Sequence, residues 1–416
     1  MSLFDELKGR RLTDLHERVD VLGLVCTAPA AARLCWPRVP EDVLVTEPLE
    51  ADVAIVGSGP TGTTAAIALL RRGIRDVLLL DSHDFPRHKT CGSGLSPRAI
   101  EIMGQLGVWD EHVKPIAYPI NGIRIVTRRG NEAWVSAGEQ LAAAVCLRHE
   151  FDFALHRAAL ARGARFVPRF KAREGILEGD RFVGVRATDG REVRARFVVI
   201  ASGAHATLTP NRGPKRAMQT VMGWWEGVPF RPHNVEMIWD DLVLPGYGWL
   251  FPETDTRVNI GMCYDDDEKQ KNARQLFDRF LERHFRERLA GATPVFSVRG
   301  FPIVYTYGAE QLTSPGRIVA GEAGRLAHPA TGEGISQGMD SALFAADAIG
   351  DVLEGRSTER AALRRYDRRC ARRFLPSFWL GRGFRGALHT PLLDWVVGAG
   401  THPAVQRAAA RMLAHF

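Results

Sequence analysis

The residues whose types and spacing could do chemistry begin with a glycine-rich run, Gly57-Ser58-Gly59-Pro60-Thr61-Gly62. A short apolar strand, Asp52 to Val56, leads into it, and a helical pattern from Thr63 to Arg72 leads away, with Gly73 as the stop. Gly57 permits a sharp exit from the strand, Gly59 lets backbone N–H groups approach a pyrophosphate, and Gly62 lets the helix pack close to the sheet. The helix N-terminus adds partial positive charge. Val77 to Leu80 reads as the next strand and ends in Asp81, nineteen positions beyond Gly62. A carboxylate there can accept hydrogen bonds from a ribose hydroxyl pair. Strand, turn, helix, strand and terminal acid together fit a dinucleotide site. A turn that serves packing alone is the competing reading.

A second glycine turn lies more than 250 residues later. The strand Arg317-Ile318-Val319-Ala320 runs into Gly321-Glu322-Ala323-Gly324, then Pro329-Ala330-Thr331-Gly332-Glu333-Gly334-Ile335, then a helix through Ile349. Two separated turns give backbone two places to touch one extended cofactor, which points to FAD. Gly321, Glu322, Gly332, Gly334 and Ile335 join Gly57, Gly59, Gly62 and Asp81 as expected cofactor contacts.

At this point the chain resembles flavoproteins of the para-hydroxybenzoate hydroxylase fold, and within it the geranylgeranyl reductase family. Phe85-Pro86-Arg87-His88-Lys89-Thr90-Cys91-Gly92-Ser93-Gly94-Leu95 is similar to that family's Cys-Gly-x-Gly loop. Pro245-Gly246-Tyr247-Gly248-Trp249-Leu250-Phe251-Pro252 is similar to its Tyr-x-Trp-x-Phe-Pro signature, and Pro329 to Ile335 to its Pro-x-Thr-Gly-Glu-Gly-Ile segment. The resemblance covers about residues 50 to 350. It departs from the family at Glu322, where Asp is usual, at Ser202-Gly203, where the fold has Asp-Gly, and at Gly261-Met262-Cys263, where Gly-x-Gly is frequent. Ser202-Gly203 leaves the electron donor, NAD(P)H or another reductant, open. Cys263 puts a side chain where the substrate channel would be narrowed.

The resemblance implies a reductase that adds hydrogen across a carbon–carbon double bond of a prenyl or isoprenoid-like, hydrophobic small molecule. A bound reduced flavin offers hydride, and the protein must orient the acceptor and supply a proton. Cys91 carries over as the active-site thiol, a proton donor or relay; a small packing residue is the alternative. Arg148 matches a family arginine near the cofactor, or else is a surface charge. Tyr247, Trp249 and Phe251 share strand parity and would form an aromatic wall toward substrate, or an ordinary sheet core. His205 and His328 read as structural. Two competing functions are a flavin-dependent monooxygenase or halogenase acting on an aromatic natural product, and a noncatalytic flavin-binding protein.

The elements that must position these groups read as α/β: a Rossmann-type FAD-binding domain with an inserted mixed β-sheet substrate domain and a C-terminal helical region. The expected divisions are an extension over 1–50, the FAD-binding domain over 51–214 with inserted strands, a β-rich substrate domain over 215–305, the second FAD-binding part over 306–352, and helices over 353–416. A helix is expected over His149–Arg162, and a charged one at about 267–288. In the extension, Leu22 to Trp36 is apolar enough to dock on its own domain, a partner or a membrane.

Hydrophobic residues make up 45% and charged residues 25%, which excludes wholesale disorder. No stretch reaches the length of a membrane span. None of the six cysteines forms a Cys-x-x-Cys pair, so neither a disulfide scaffold nor a metal site is expected, and the thiols read as reduced in a cytoplasmic protein. The net charge of +7 selects no partner by itself, and no nucleic-acid-binding module is visible. Arg356 to Arg385 holds ten arginines against Glu359 and Asp367, with Leu363, Tyr366, Cys370 and Phe374 on one helical face. That suits either peripheral contact with an anionic membrane surface or a solvated face over a packed core. The sequence leaves the oligomeric state unknown.

Overall fold

The computed structural model describes residues 48–138, 141–209, 216–266 and 271–398. Nearly all of the expected 1–50 extension, with its Leu22–Trp36 stretch, lies outside these residues. From the N-terminal side come β1 (Leu49–Val56), α1 (Pro60–Arg71), β2 (Val77–Leu80), β3 (Gly94–Leu95) and α2 (Pro97–Gln105). Then follow β4 (Tyr118–Ile120), β5 (Gly122–Val126), β6 (Glu132–Ser136), β7 (Ala143–Val145), α3 (Arg148–Ala161), β8 (Arg165–Val167), β9 (Ala172–Glu178), β10 (Arg181–Ala187) and β11 (Glu192–Ile200). The remainder is β12 (Ala217–Glu226), β13 (Asn234–Ile238), β14 (Gly248–Pro252), β15 (Arg257–Asp265), α4 (Ala273–Leu289), β16 (Thr293–Val304), β17 (Thr313–Ser314), β18 (Arg317–Val319), α5 (Ile335–Leu353), α6 (Glu359–Ala387) and α7 (Leu392–Gly398).

The first sheet has the order β17-β18-β11-β1-β2-β8, with β10 and β9 added beside β11. β18, β11, β1, β2 and β8 run parallel. A parallel sheet is covered on both faces, so its strands can be apolar without alternation. Val53 to Val56 and Val77 to Leu80 are all buried. α1 packs against α5 through small residues such as Ala65 and Ala68, and Gly73 ends its turn with φ +87°. Arg72 at its end bonds Asp347, Asp351 and Glu354 at the far end of α5 and just beyond it.

The second sheet has the order β16-β12-β15-β14-β13-β5-β6. One face carries Leu250, Ile260 and Met262 against Phe277, Phe280 and Phe285 of α4. Asn272 starts α4 by accepting the N–H groups of Arg274 and Gln275, so the helix begins at 273 and not near 267. The other face carries Met218, Met222, Trp224, Trp249 and Cys263, with Tyr247 just ahead of β14.

This sheet takes strands from both sides of residue 215. β5 and β6 come from inside the 51–214 segment, yet β5 pairs in parallel with β13, Gly122 opposite Asn234. The match is between strands 112 residues apart, so no local pattern announces it. A third, small sheet has the order β3-β7-β4. α6 packs on α5, and its Tyr366 Oη donates to Val319 O of β18 at 2.7 Å. Among the described residues no helix is long and apolar enough to cross a membrane, and no cluster of metal-ligating side chains occurs.

Candidate active site

The first glycine turn is held by backbone. Gly57, at φ +106°, donates its N–H to Leu80 O at 2.7 Å, and a Cβ there would strike the Ala201 carbonyl. A Cβ on Gly62 would strike the Gly57 carbonyl oxygen. Gly59 is different: its nearest atoms would be Arg87 Nη2 at 3.4 Å and Asp152 Oδ2 at 3.9 Å, so it leaves an opening beside charged groups. The first turn of α1 starts with Pro60 and has neither a side-chain cap nor an acid. Its N-terminus is therefore left to an anion. Asp81 is buried and accepts the N–H groups of Ser58 at 2.9 Å and His83 at 3.0 Å. A carboxylate has lone pairs left for hydroxyl donors after two such bonds. Behind it, Ser58 Oγ meets His156 Nδ1 at 2.7 Å, and burial lowers the His156 pKa to about 4.

Beside Gly59 lies a cation cluster. Arg148, the first residue of α3, binds Asp152 one turn later through Nε at 2.6 Å and Nη2 at 2.8 Å. Arg87 Nη1 is 3.1 Å from the same carboxylate. Arg87 Nε also lies 3.9 Å from Asp81, so two guanidinium groups bridge the two buried carboxylates beside Gly59. Arg148 is buried, so it is no surface charge. Burial opposes its charge, but Asp152 and a hydrogen bond with Cys91 outweigh it and raise its pKa. Lys89 lies over the Phe301 ring, and burial, with Arg148 near, lowers its pKa to about 8. Glu322 is raised by burial, against the Val304 N–H, which its Oε1 accepts at 3.0 Å, and the charges of Lys89 and Arg148.

The second glycine turn meets the first. A Cβ on Gly321 would lie 2.6 Å from Thr61 Oγ1 and 3.3 Å from the Gly338 backbone. Gly334 precedes Ile335 at the start of α5, and Gly332 lies beside Ile303 and Met218. His328 orients this stretch: its Nδ1 accepts the N–H groups of Ala330 and Thr331, both at 3.3 Å. Burial lowers its pKa to about 4, which keeps it an acceptor. His205 packs on Phe301, ring centroids 5.0 Å apart.

The Cys91 loop lies on the aromatic wall. A Cβ on Gly92 would be 3.3 Å from Trp249 Nε1 and 3.4 Å from Phe251, and one on Gly94 would be 3.4 Å from Phe251. Glycine is what lets this backbone rest on the rings. Ser93, at φ +68°, donates its N–H to Cys91 Sγ at 3.4 Å. Tyr247, Trp249 and Phe251 follow one another at ring spacings of 6.0 Å. Trp249 Nε1 donates to Asn259 Oδ1 at 2.6 Å, and Tyr247 Oη donates to the Thr331 carbonyl. The wall is thus tied to the second glycine turn. Cys263 is enclosed, accepts the Tyr247 N–H at 3.4 Å, and is pushed up to about 12 by burial.

The structure therefore brings together Gly57, Gly59, Gly62 and Asp81 as one group, Arg148, Cys91 and Glu322 around Lys89, and the wall with Gly332 and Gly334. Sequence reading missed Arg87, Lys89 and Asp152 as parts of the site. The spacing of Arg148 and Asp152, four apart at the start of a helix, was the available signal. The close glycine turns and the paired arginines suit an extended diphosphate cofactor.

Residues 50–374 match the family model described as FAD binding domain, and the chain belongs to that family. It is 30% identical over 345 residues to digeranylgeranylglycerophospholipid reductase 2 of Methanopyrus kandleri, covering 79% of this chain and 84% of that protein. It is 29% identical over 320 residues to menaquinone reductase of Mycobacterium tuberculosis, covering 72% of this chain and 76% of that protein. Among solved structures, a geranylgeranyl bacteriochlorophyll reductase-like protein from Thermoplasma acidophilum superimposes with a TM-score of 0.75 at 20% identity, covering 87% of this chain and 96% of that one. The flavin-dependent brominase Bmp2 gives 0.73, also at 20% identity, covering 88% and 93%. At that identity the two structures share the fold. The protein is an FAD-dependent oxidoreductase of the geranylgeranyl reductase type.

Proposed function

We propose that this protein reduces a carbon–carbon double bond in a prenyl or isoprenoid-like substrate. The observation that supports it is the contact of Gly92 and Gly94 with Trp249 and Phe251, which sets the loop bearing Cys91 against the aromatic wall. The names of the relatives, reductases of menaquinone and of a digeranylgeranyl glycerophospholipid, support the same class.

When bound, reduced FAD would supply the hydride equivalent, with NAD(P)H or another reductant as the electron donor. The protein's own groups do the rest. Gly57, Gly59, Gly62 and the open end of α1, with Arg148 and Arg87, would hold the pyrophosphate of FAD, and Asp81 would hold a ribose. Gly321, Glu322, Gly332, Gly334 and Ile335 form the second contact. Tyr247, Trp249 and Phe251 exclude water and orient the alkene, with Cys263 packed behind Tyr247. Cys91 Sγ–H would give its proton to one alkene carbon, leaving a thiolate that is reprotonated from solvent, and with a hydride equivalent at the other carbon the product gains two hydrogens. Ser93 holds the thiol in place by its N–H.

The test is anaerobic turnover of the pre-reduced protein with a panel of prenyl and aromatic compounds, read by product mass. A gain of two hydrogens on a prenyl compound is expected. A product gaining oxygen or halogen in air, with no hydrogenated product, would replace this reading by an oxygenase or halogenase one.

A further inference from the structure

The exposed face of α6 changes character along its length. Steps of three and four residues along one stripe meet Arg365, Arg368, Arg369 and Arg372, then Pro376, Trp379, Leu380, Gly383 and Phe384, and all are exposed. Trp379 is 63% exposed, Leu380 77% and Phe384 37%, and Trp395 of the following α7 is 68% exposed. Arg365 and Arg369 pair with Asp351 and Asp347. Among the described residues, Arg368 and Arg372 make no ion pair.

The buried side of the same helix end belongs to the active site. Arg385 Nη1 donates to Pro329 O at 3.1 Å, and Leu388 packs in one cluster with Tyr247, Trp249 and Cys263. A ladder of rings joins the two sides. Phe384 meets Trp239 at 6.4 Å, Trp239 meets Tyr247 at 6.1 Å, and Trp249 and Phe251 follow at 6.0 Å each. It runs from the exposed stripe to the rings beneath the Cys91 loop.

An arginine stretch followed along the same stripe by Trp, Leu and Phe matches the two layers of an anionic bilayer surface met by a tilted helix: phosphate for the first, hydrocarbon for the second. A second copy is a poor match, because pairing two such stripes sets arginine against arginine or arginine against apolar rings. We propose that this face of α6 docks on an anionic lipid bilayer and that the aromatic ladder passes a prenyl chain from the bilayer to the Cys91 loop. The docking stands on the exposed face alone; the passage of a prenyl chain rests on the reductase reading.

The test uses the full chain with FAD and flotation with phosphatidylcholine vesicles, with and without phosphatidylglycerol. Binding is expected with phosphatidylglycerol and much less without it. Trp379→Ser with Leu380→Ser should lower the bound fraction roughly tenfold or more. That variant should keep its flavin absorbance, its melting temperature and its turnover of a short prenyl alcohol in solution, while losing turnover of a prenyl lipid dissolved in vesicles. Arg368→Gln with Arg372→Gln should remove the preference for phosphatidylglycerol. Equal flotation of wild type and the Trp379/Leu380 variant would overturn the docking, as would a dimer that dissociates in that variant without any vesicle binding. Flotation is read without turnover, so its failure leaves the reductase reading standing. Absent prenyl turnover with normal flotation would instead overturn the reductase reading and the prenyl passage, leaving only the docking.

Discussion

At the residue scale the sharpest position is Cys91. Its loop is fixed by glycines against Trp249 and Phe251, and its sulfur accepts the Ser93 N–H at 3.4 Å. Cys91→Ala should keep FAD and the fold but slow substrate reduction by roughly 10²–10⁴-fold, the usual contribution of a positioned acid. Cys91→Ser keeps a small polar group and should recover part of the rate. Stopped-flow measurement separates the halves of the cycle: flavin reduction by the donor should be normal, and reoxidation by substrate slow. Wild-type reoxidation in both variants would reduce Cys91 to packing.

The glycines of the first turn give a second contrast. Gly59 faces Arg87 and Asp152 at ordinary contact distances, so Gly59→Ala should fold without shifting the turn. Gly59→Asp adds a carboxylate that competes for Arg87 and occupies the anion's place, and flavin content of the purified, folded protein should collapse. Gly62→Ala should fail for another reason, since its Cβ meets the Gly57 carbonyl and the turn itself must shift. A Gly59→Asp protein with full flavin occupancy would remove this turn from the cofactor site.

At the element scale, β14 shows what was legible and what was not. Alternation in Tyr247-Gly248-Trp249-Leu250-Phe251 placed the three rings on one side, because strand side chains alternate whatever they pack on. What lay on each side was not legible: α4 comes from residues after β14, and the Cys91 loop from more than 150 residues before it. The strand–turn–helix around Gly57 was readable, since its shape rests on a local packing of Gly62 on the Gly57 carbonyl, although its partners at Ala201 and Gly321 are distant. The entry of β5 and β6 into the second sheet was not, because its cause is a distant parallel register. Burial also alters what a substitution at the wall would do. Trp249 is buried and bonded to Asn259, so truncation to Ala would damage the core as well as the pocket. Trp249→Phe is the cleaner variant. It keeps a ring on the wall but orphans the Asn259 oxygen, at a cost of about 1–3 kcal/mol. Chemical denaturation should show that loss with flavin retained, and kinetics should show weaker substrate binding.

For the whole molecule, two buried imidazoles set an acid limit. His156 and His328 have folded pKa values of about 4, whereas unfolded imidazole takes up its proton near about 6.5. Between those values the unfolded chain binds more protons, so their contribution to stability is complete above about pH 6.5 and is lost as pH falls toward about 4. Each can withdraw on the order of 2–3 kcal/mol at most. Melting temperature should fall over that window, and His328→Gln should reduce the slope by about one proton's worth. An unchanged slope would mean that His328 is not held neutral.

The order of the first sheet has a consequence for synthesis of the chain. β11 lies between β1 and β18, and β18 leads into the turn at Gly321 that rests on Thr61. A nascent chain that has emerged only as far as residue 310 has made its first glycine turn but lacks the strand and turn that complete it. Flavin capture is therefore a late event, open only to chains that have been made through α5. Such a ligand acts as an inspection step, because it adds stability to complete molecules and none to fragments. Ribosome-bound chains stalled before β18 should hold no flavin, and chains released after α5 should hold it at once.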